Sequence, residues 1–264
     1  MTDKNSGRFV WYELMTTDPK AAIAFYSHVV GWKTQVFGEP KPGEEPYNMW
    51  VGSQGPLGGV MTLPEEAKKM GAPPHWMAHV EVANVDETVA KVQRMDGRVY
   101  VPPTDIPTVG RFAIIADPFG ASISAFTPAQ PMTAHDRTKQ GEFTWHELIT
   151  TDGEKALHFY GEIFGWKKES EHDMGPMGKY LLYGQHGKWY GGIMTKTPDM
   201  AQVPTTFMYY VQVDDLDAAL ARAKERGARV LVGPMEVPGG TRIVQLMDPQ
   251  GAAFALHTGV VKEA

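Results

Sequence analysis

A segment of ten residues occurs twice in this chain. Phe9-Val10-Trp11-Tyr12-Glu13-Leu14-Met15-Thr16-Thr17-Asp18 returns as Phe143-Thr144-Trp145-His146-Glu147-Leu148-Ile149-Thr150-Thr151-Asp152, at a constant separation of 145 − 11 = 147 − 13 = 152 − 18 = 134 residues. The match runs on through Phe25-Tyr26 and Gly31-Trp32-Lys33 to Phe159-Tyr160 and Gly165-Trp166-Lys167. A repeat this long restricts the chain to two copies of one folding unit. It also separates residues kept in both copies from those that differ.

A length of 264 residues suffices for two domains, each able to bury its own core. The first is expected over residues 1–128 and the second over 141–264, joined by 129–140, which is rich in Pro, Thr and charge. With 42% hydrophobic and 21% charged residues the composition is that of a soluble globular protein. The net charge of −6 argues against a nucleic-acid partner, which calls for a basic face. No apolar run reaches membrane-spanning length, and Met1 to Arg8 lacks the apolar centre of a signal peptide. A cytoplasmic location and no membrane partner are therefore expected. Without cysteine, any metal site must use His, Asp or Glu.

Alternation over Phe9 to Leu14 predicts a strand, after which Asp18, Pro19 and Gly31 supply the cap, first-turn and stop residues of a helix. Asp152 to Gly165 repeats this pattern. Trp76 to Val82 and Phe207 to Val213 predict further strands, followed by helices over Asp86 to Met95 and Leu216 to Arg226 that stop at Gly97 and Gly227. Here the separation is 210 − 79 = 131, so the second copy has lost three loop residues. Short β-like runs follow each helix, such as Tyr47 to Val51, Gly59 to Leu63, Arg111 to Ala116 and Ser122 to Phe126. The result is an α+β chain of four units, each with one strand, one helix and about three more strands.

Four βαβββ units, opening on Trp-x-Glu-Leu-x-Thr-Thr-Asp and closing each half with Asp117-Pro118-Phe119-Gly120 or Asp248-Pro249-Gln250-Gly251, resemble the vicinal oxygen chelate superfamily. That group holds glyoxalase I, bleomycin-resistance proteins and extradiol dioxygenases. The resemblance implies two tandem glyoxalase-like domains whose mixed sheets curl into cups with ligands inside. In metal-dependent members it implies a divalent ion held by His and Glu on the first and last strands of each unit. Alignment puts those positions at Trp11 and Trp145, Met77 and Met208, and Ser124 and Ala255, none of them His or Glu. The remaining strand, around Gly59-Val60-Met61 and Gly192-Ile193-Met194, offers no acidic or imidazole donor either. No metal or other cofactor is expected; a divalent ion is disfavoured and would need relocated ligands.

Strand parity names what stands in the cups. Residues two apart share a face, so Trp11 and Glu13 look into the first cup with His79, and Trp145 and Glu147 into the second with Tyr210 and His257. Each cup thereby pairs a carboxylate with an imidazole. A repeated buried glutamate also has a structural reading, as acceptor for backbone N–H groups or for Arg111 or Arg242. For the tryptophans and histidines the core reading is the favoured one. His146 falls on the opposite face from Glu147, where packing against a helix is expected.

Two functional classes follow. One is a glyoxalase/bleomycin-resistance-like binding protein for a small, partly aromatic or oxygenated molecule. The other is a lyase, isomerase or hydroxylase using a Glu-His acid/base pair, or a metal-dependent enzyme of the family with relocated ligands. Catalytic residues are not assigned. Of the two cups, the second is expected to do the work, because Glu147, Tyr210 and His257 combine an acceptor, a phenol and an imidazole. The partner is a small molecule, and the chain is expected to be a monomer or a homodimer.

Overall fold

Asx residues begin all four of the longer helices in the computed structural model, which describes residues 6–39 and 45–259. Asp18, Asn84, Asp152 and Asp215 each accept a backbone N–H three residues on, at 2.9 to 3.1 Å. Such a cap is worth about 1 kcal/mol. The outermost residues of the two expected domains, 1–5 and 260–264, lie outside the described residues.

The first half runs β1 (Phe9–Thr16), α1 (Pro19–Val29), β2 (Lys33–Val36), β3 (Asn48–Gly52), β4 (Gly55–Thr62), a short α2 (Glu65–Lys69), β5 (His75–Glu81), α3 (Val85–Arg94), β6 (Arg98–Ile106), β7 (Gly110–Ala116) and β8 (Ser122–Pro128). The second runs β9 (Phe143–Thr150), α4 (Gly153–Phe164), β10 (Lys167–Asp173), β11 (Lys179–Gln185), β12 (Lys188–Thr195), β13 (Thr206–Gln212), α5 (Leu216–Glu225), β14 (Arg229–Val237), β15 (Thr241–Met247) and β16 (Ala253–Thr258). Each half forms one open, mixed, eight-stranded sheet, ordered β2-β3-β4-β1-β5-β8-β7-β6 and β10-β11-β12-β9-β13-β16-β15-β14. Two βαβββ units thus join side by side through an antiparallel pair, β1 with β5 and β9 with β13. The α+β class and the tandem architecture read from the repeat are those of the molecule. The sequence reading did not anticipate α2, which has no helical counterpart of its length in the second half.

The four longer helices bury one stripe each, for example Ala22, Phe25, Tyr26 and Val29 on α1, the i, i+3, i+4, i+7 spacing of a face turned to a core. That core is shared. Tyr12 on β1 stacks on Phe143 with ring centroids 3.8 Å apart, and Phe9 stacks on His146 at 3.6 Å. His146 accordingly packs against the other half's first strand rather than a helix. Reciprocal hydrogen bonds repeat the arrangement: Tyr26 donates to Asp248 at 3.0 Å and Tyr160 to Asp117 at 3.1 Å, while the indoles of Trp32 and Trp166 donate to the carbonyls of Gly141 and Gly7. Each Asp-Pro-x-Gly aspartate also accepts backbone N–H groups of its own turn, so one side chain holds the turn and the neighbouring half together. With the helix-bearing faces turned inward, the opposite face of each sheet is left for a site. No helix among the described residues is long and apolar enough to cross a membrane.

Candidate functional site

Register places the repeated glutamates at the centre of each outward face. Glu13 lies opposite Met77 on one side and Gly59 on the other; Glu147 lies opposite Met208 and Gly192. Trp11 is the cross-strand partner of His79, and Trp145 of Tyr210. All seven residues singled out by parity therefore sit on or beside these strands, but their bonding differs from a simple Glu-His pair.

On the first face a tyrosine that parity missed completes the cluster. Tyr47, just before β3, donates to Glu13 Oε2 at 2.7 Å and accepts the Trp11 indole N–H at 3.1 Å. Gly59 makes this possible, since a Cβ there would stand 1.9 Å from the Tyr47 hydroxyl. Glu13 is 7% exposed, and its second oxygen, Oε1, is buried with no hydrogen-bond partner among the described residues. Burial pushes its carboxyl up to about 7, against the pull of the Tyr47 and Trp11 bonds. His79 is half-buried between Phe112 and Phe126, and burial draws it down to about 4. The usual order of the two groups is inverted: near neutral pH the imidazole is neutral and the carboxyl is the group that titrates. Diagonal neighbours of this kind stand roughly 7 to 8 Å apart at Cα.

The second face is more closed upon itself. Tyr210 donates to Glu147 Oε2 at 2.5 Å and accepts from Gln245 at 2.7 Å, while Trp145 donates to Tyr180 at 3.0 Å. Burial raises Glu147 and keeps Tyr180 and Tyr210 neutral. His257 is bonded through Nε2 to the hydroxyl of Thr144. The strand irregularity at Thr144 turns that residue toward it, so His257 is tied to the rim of β9 and not to Glu147. Its Nδ1 is buried without a partner among the described residues, and burial lowers the ring to about 4. Neither arginine serves the glutamates: Arg111 is held by Asp86 and Asp105, and Arg242 by Asp217. The arginine version of the structural reading is therefore set aside.

Tyr47 and Tyr180 carried a signal that strand parity alone did not use. They repeat with the glycines they cover, 180 − 47 = 192 − 59 = 133. Gln245 had none, because its counterpart one repeat earlier is Ile114.

Among the described residues, the positions where the family's metal ligands are expected carry side chains that do not fit a metal. Trp11, Met77 and Ser124 occupy the expected positions on the first face, and among the described residues no group of three or more His, Asp or Glu side chains could hold an ion. Structural metal centres need several donors at roughly 2.0 to 2.6 Å. Two donors, Glu13 and His79, do not make one.

Comparison with known proteins agrees with the architecture. The family model described as Glyoxalase/Bleomycin resistance protein/Dioxygenase superfamily matches residues 8–124 and again 142–256. CFP32 of Mycobacterium tuberculosis, named as a candidate glyoxylase, is 32% identical over 247 residues, covering 93% of this chain and 92% of its own. The anthracycline biosynthesis protein DnrV of Streptomyces peucetius is 25% identical over 97% of this chain and 94% of its own. Among solved structures, the 2,3-dioxygenase LapB of Pseudomonas sp. KL28 superposes with a TM-score of 0.65 at 11% identity, covering 97% and 93% of the two chains. The Mn(II)-bound glyoxalase of Novosphingobium aromaticivorans gives 0.63 at 13%, covering 98% and 83%. At such identities the structures speak for the fold alone.

Proposed function

The chain belongs to the Glyoxalase/Bleomycin resistance protein/Dioxygenase superfamily, and from that premise we propose that it binds a small, partly aromatic, oxygenated molecule on the outward face of its first sheet, without the family metal. One observation carries this reading: the buried Glu13 carboxyl has an oxygen with no partner among the described residues, in a setting of half-buried aromatic rings. Leaving such a group unpaired costs about 1 to 3 kcal/mol, which a bound molecule would offset. Met61 and Met77 flank the glutamate as adaptable apolar surface, suited to a flat ligand. Relatives named for anthracycline biosynthesis are in keeping with an aromatic ligand. The second face, with Glu147 engaged by Tyr210, is assigned a lesser part.

The test is calorimetric titration with a dihydroxyanthraquinone. Saturable binding at one site per chain is expected, weakened by at least about tenfold, roughly 1.4 kcal/mol, in Trp11→Ala, with the circular dichroism of the fold unchanged. Absence of saturable binding, or equal affinity in the variant, overturns the assignment.

A second reading is favoured by the titration of Glu13 near 7, the range useful to a general base. In it the first face is a lyase or isomerase site, with Glu13 exchanging the proton and neutral His79 as hydrogen-bond partner. Turnover that rises and falls with a single group near neutral pH, and vanishes in Glu13→Gln, would distinguish it from binding alone.

A further inference from the structure

Among the described residues one hydrogen bond reaches the Glu13 carboxyl, and it is donated to it. Trp11 Nε1–H is directed at Tyr47 Oη, and Tyr47 O–H at Glu13 Oε2. A carboxylic acid also needs an acceptor for its own proton, and among the described residues no acceptor is in place at Oε1. The cluster is thus arranged to hold an anion, and among the described residues it has no counter-charge. Arg8, just before β1, is bound to Glu81 at 2.6 Å, and Arg111 is committed to Asp86 and Asp105. Glu45 is exposed and accepts from Thr62 at 2.7 Å, adding only negative charge nearby.

We propose that the ligand of the first face carries a protonated amine that pairs with the buried Glu13 Oε1 beside the Trp11 and Tyr47 rings. This rests on the reading of that face as the ligand site. Aromatic faces beside a carboxylate are the usual composition of organic-cation sites, because ring quadrupoles attract the cation without the desolvation cost of further charges. An unpaired buried carboxylate is expensive and gains most from an ionic partner that brings its own N–H donor. Trp11 and Tyr47 are half-buried, so part of each side chain is exposed to a ligand.

The groups facing Glu13 are few. Trp11 shares its strand, Tyr47 comes from before β3, Gly59 presents backbone from β4, and β5 presents Met77 and His79. Of these only Tyr47 and His79 titrate. Burial raises the former and lowers the latter to about 4, so both are neutral near pH 7. Among these neighbours Glu13 is then the group whose charge changes across neutrality.

The experiment compares three probes of one shape: naphthylmethylamine, naphthylmethanol and naphthoate, titrated into the whole chain alongside the dihydroxyanthraquinone. The amine is expected to bind at least about tenfold tighter than the alcohol at pH 8. Its affinity should rise about tenfold between pH 6 and pH 8, as Glu13 loses its proton. Glu13→Gln should bring the amine-to-alcohol ratio close to one and abolish that rise, and Tyr47→Phe provides a second variant should Glu13→Gln fold poorly. An alcohol or naphthoate that binds as tightly as the amine, or a preference that survives Glu13→Gln, overturns the inference. Binding of the anthraquinone with no preference for the amine removes the cation and keeps the site; binding of none of the four removes both.

Discussion

Glu13 carries a stability signature that does not depend on any ligand. Its folded value of about 7 lies above the ordinary 4.5, so its contribution is fully present below about pH 4.5 and is lost as pH rises through 7. The shift corresponds to about 3 kcal/mol at the alkaline limit. Glu13→Gln, which keeps an acceptor for Tyr47 but cannot ionise, should be the more stable protein at pH 8, by up to that amount, with the difference fading near pH 4. Urea unfolding at the two pH values measures it, and a variant no more stable than the parent at pH 8 contradicts the raised carboxyl. The buried histidines work in the opposite sense. His79 and His257, held near 4, and His146, held near 3, give stability that is present above about pH 6.5 and is lost as pH falls. The protein should therefore be most stable in mildly acidic to neutral solution.

At the scale of elements, β4 and β12 carry paired glycines with different tasks. A Cβ on Gly58 would lie 2.1 Å from the carbonyl oxygen of Tyr12, and one on Gly191 1.8 Å from that of His146, so the parallel neighbour strand itself stands in the way. A Cβ on Gly59 would meet the hydroxyl end of Tyr47, which can swing aside. Gly58→Ala should lower stability by at least about 2 kcal/mol, as overpacking against backbone does. Gly59→Ala should cost less stability but displace Tyr47 from Glu13 and weaken anthraquinone binding several-fold. Thermal melts together with ligand titration separate the two, and equal effects on both readouts would show that the side chain has no more freedom than the strand. Strands and helices were legible because alternation, Asx caps and stop glycines all recur at fixed separations. Trp11, Glu13 and His79 could be placed on one face for the same reason. Tyr47 opens a β-like run in the sequence but was not placed on the face, since its strand was not aligned with the one that carries Glu13. The Thr144 bond of His257 depends on a strand irregularity, and no hydrophobic pattern encodes one.

The two halves repeat each other's contacts across the shared core, and at the centre of that core the repeat pairs two unlike residues. Tyr12 and His146 are the same repeat position, 146 − 12 = 134, and they meet each other: Tyr12 Oη lies 2.7 Å from His146 Nε2, while His146 Nδ1 lies 2.7 Å from the Tyr190 carbonyl. With Nδ1–H spent on that carbonyl, Nε2 is the acceptor and the phenol the donor. Two identical residues at this place would offer a poorer match, for two tyrosines would need one hydroxyl to turn and two histidines would need opposite tautomers. Tyr26 with Asp248 and Tyr160 with Asp117 then repeat a single contact on either side of the pair. Because the inward faces share one core, the halves should unfold together, in one calorimetric transition despite two repeats. Tyr12→Phe keeps the stacking on Phe143 and leaves His146 Nε2 buried without a donor, at a cost of about 1 to 3 kcal/mol. The single transition should move down as a whole, by several degrees. Two resolved transitions, or a variant that melts with the parent, would show that the halves are stable separately and that the Tyr12-His146 contact only decorates their junction.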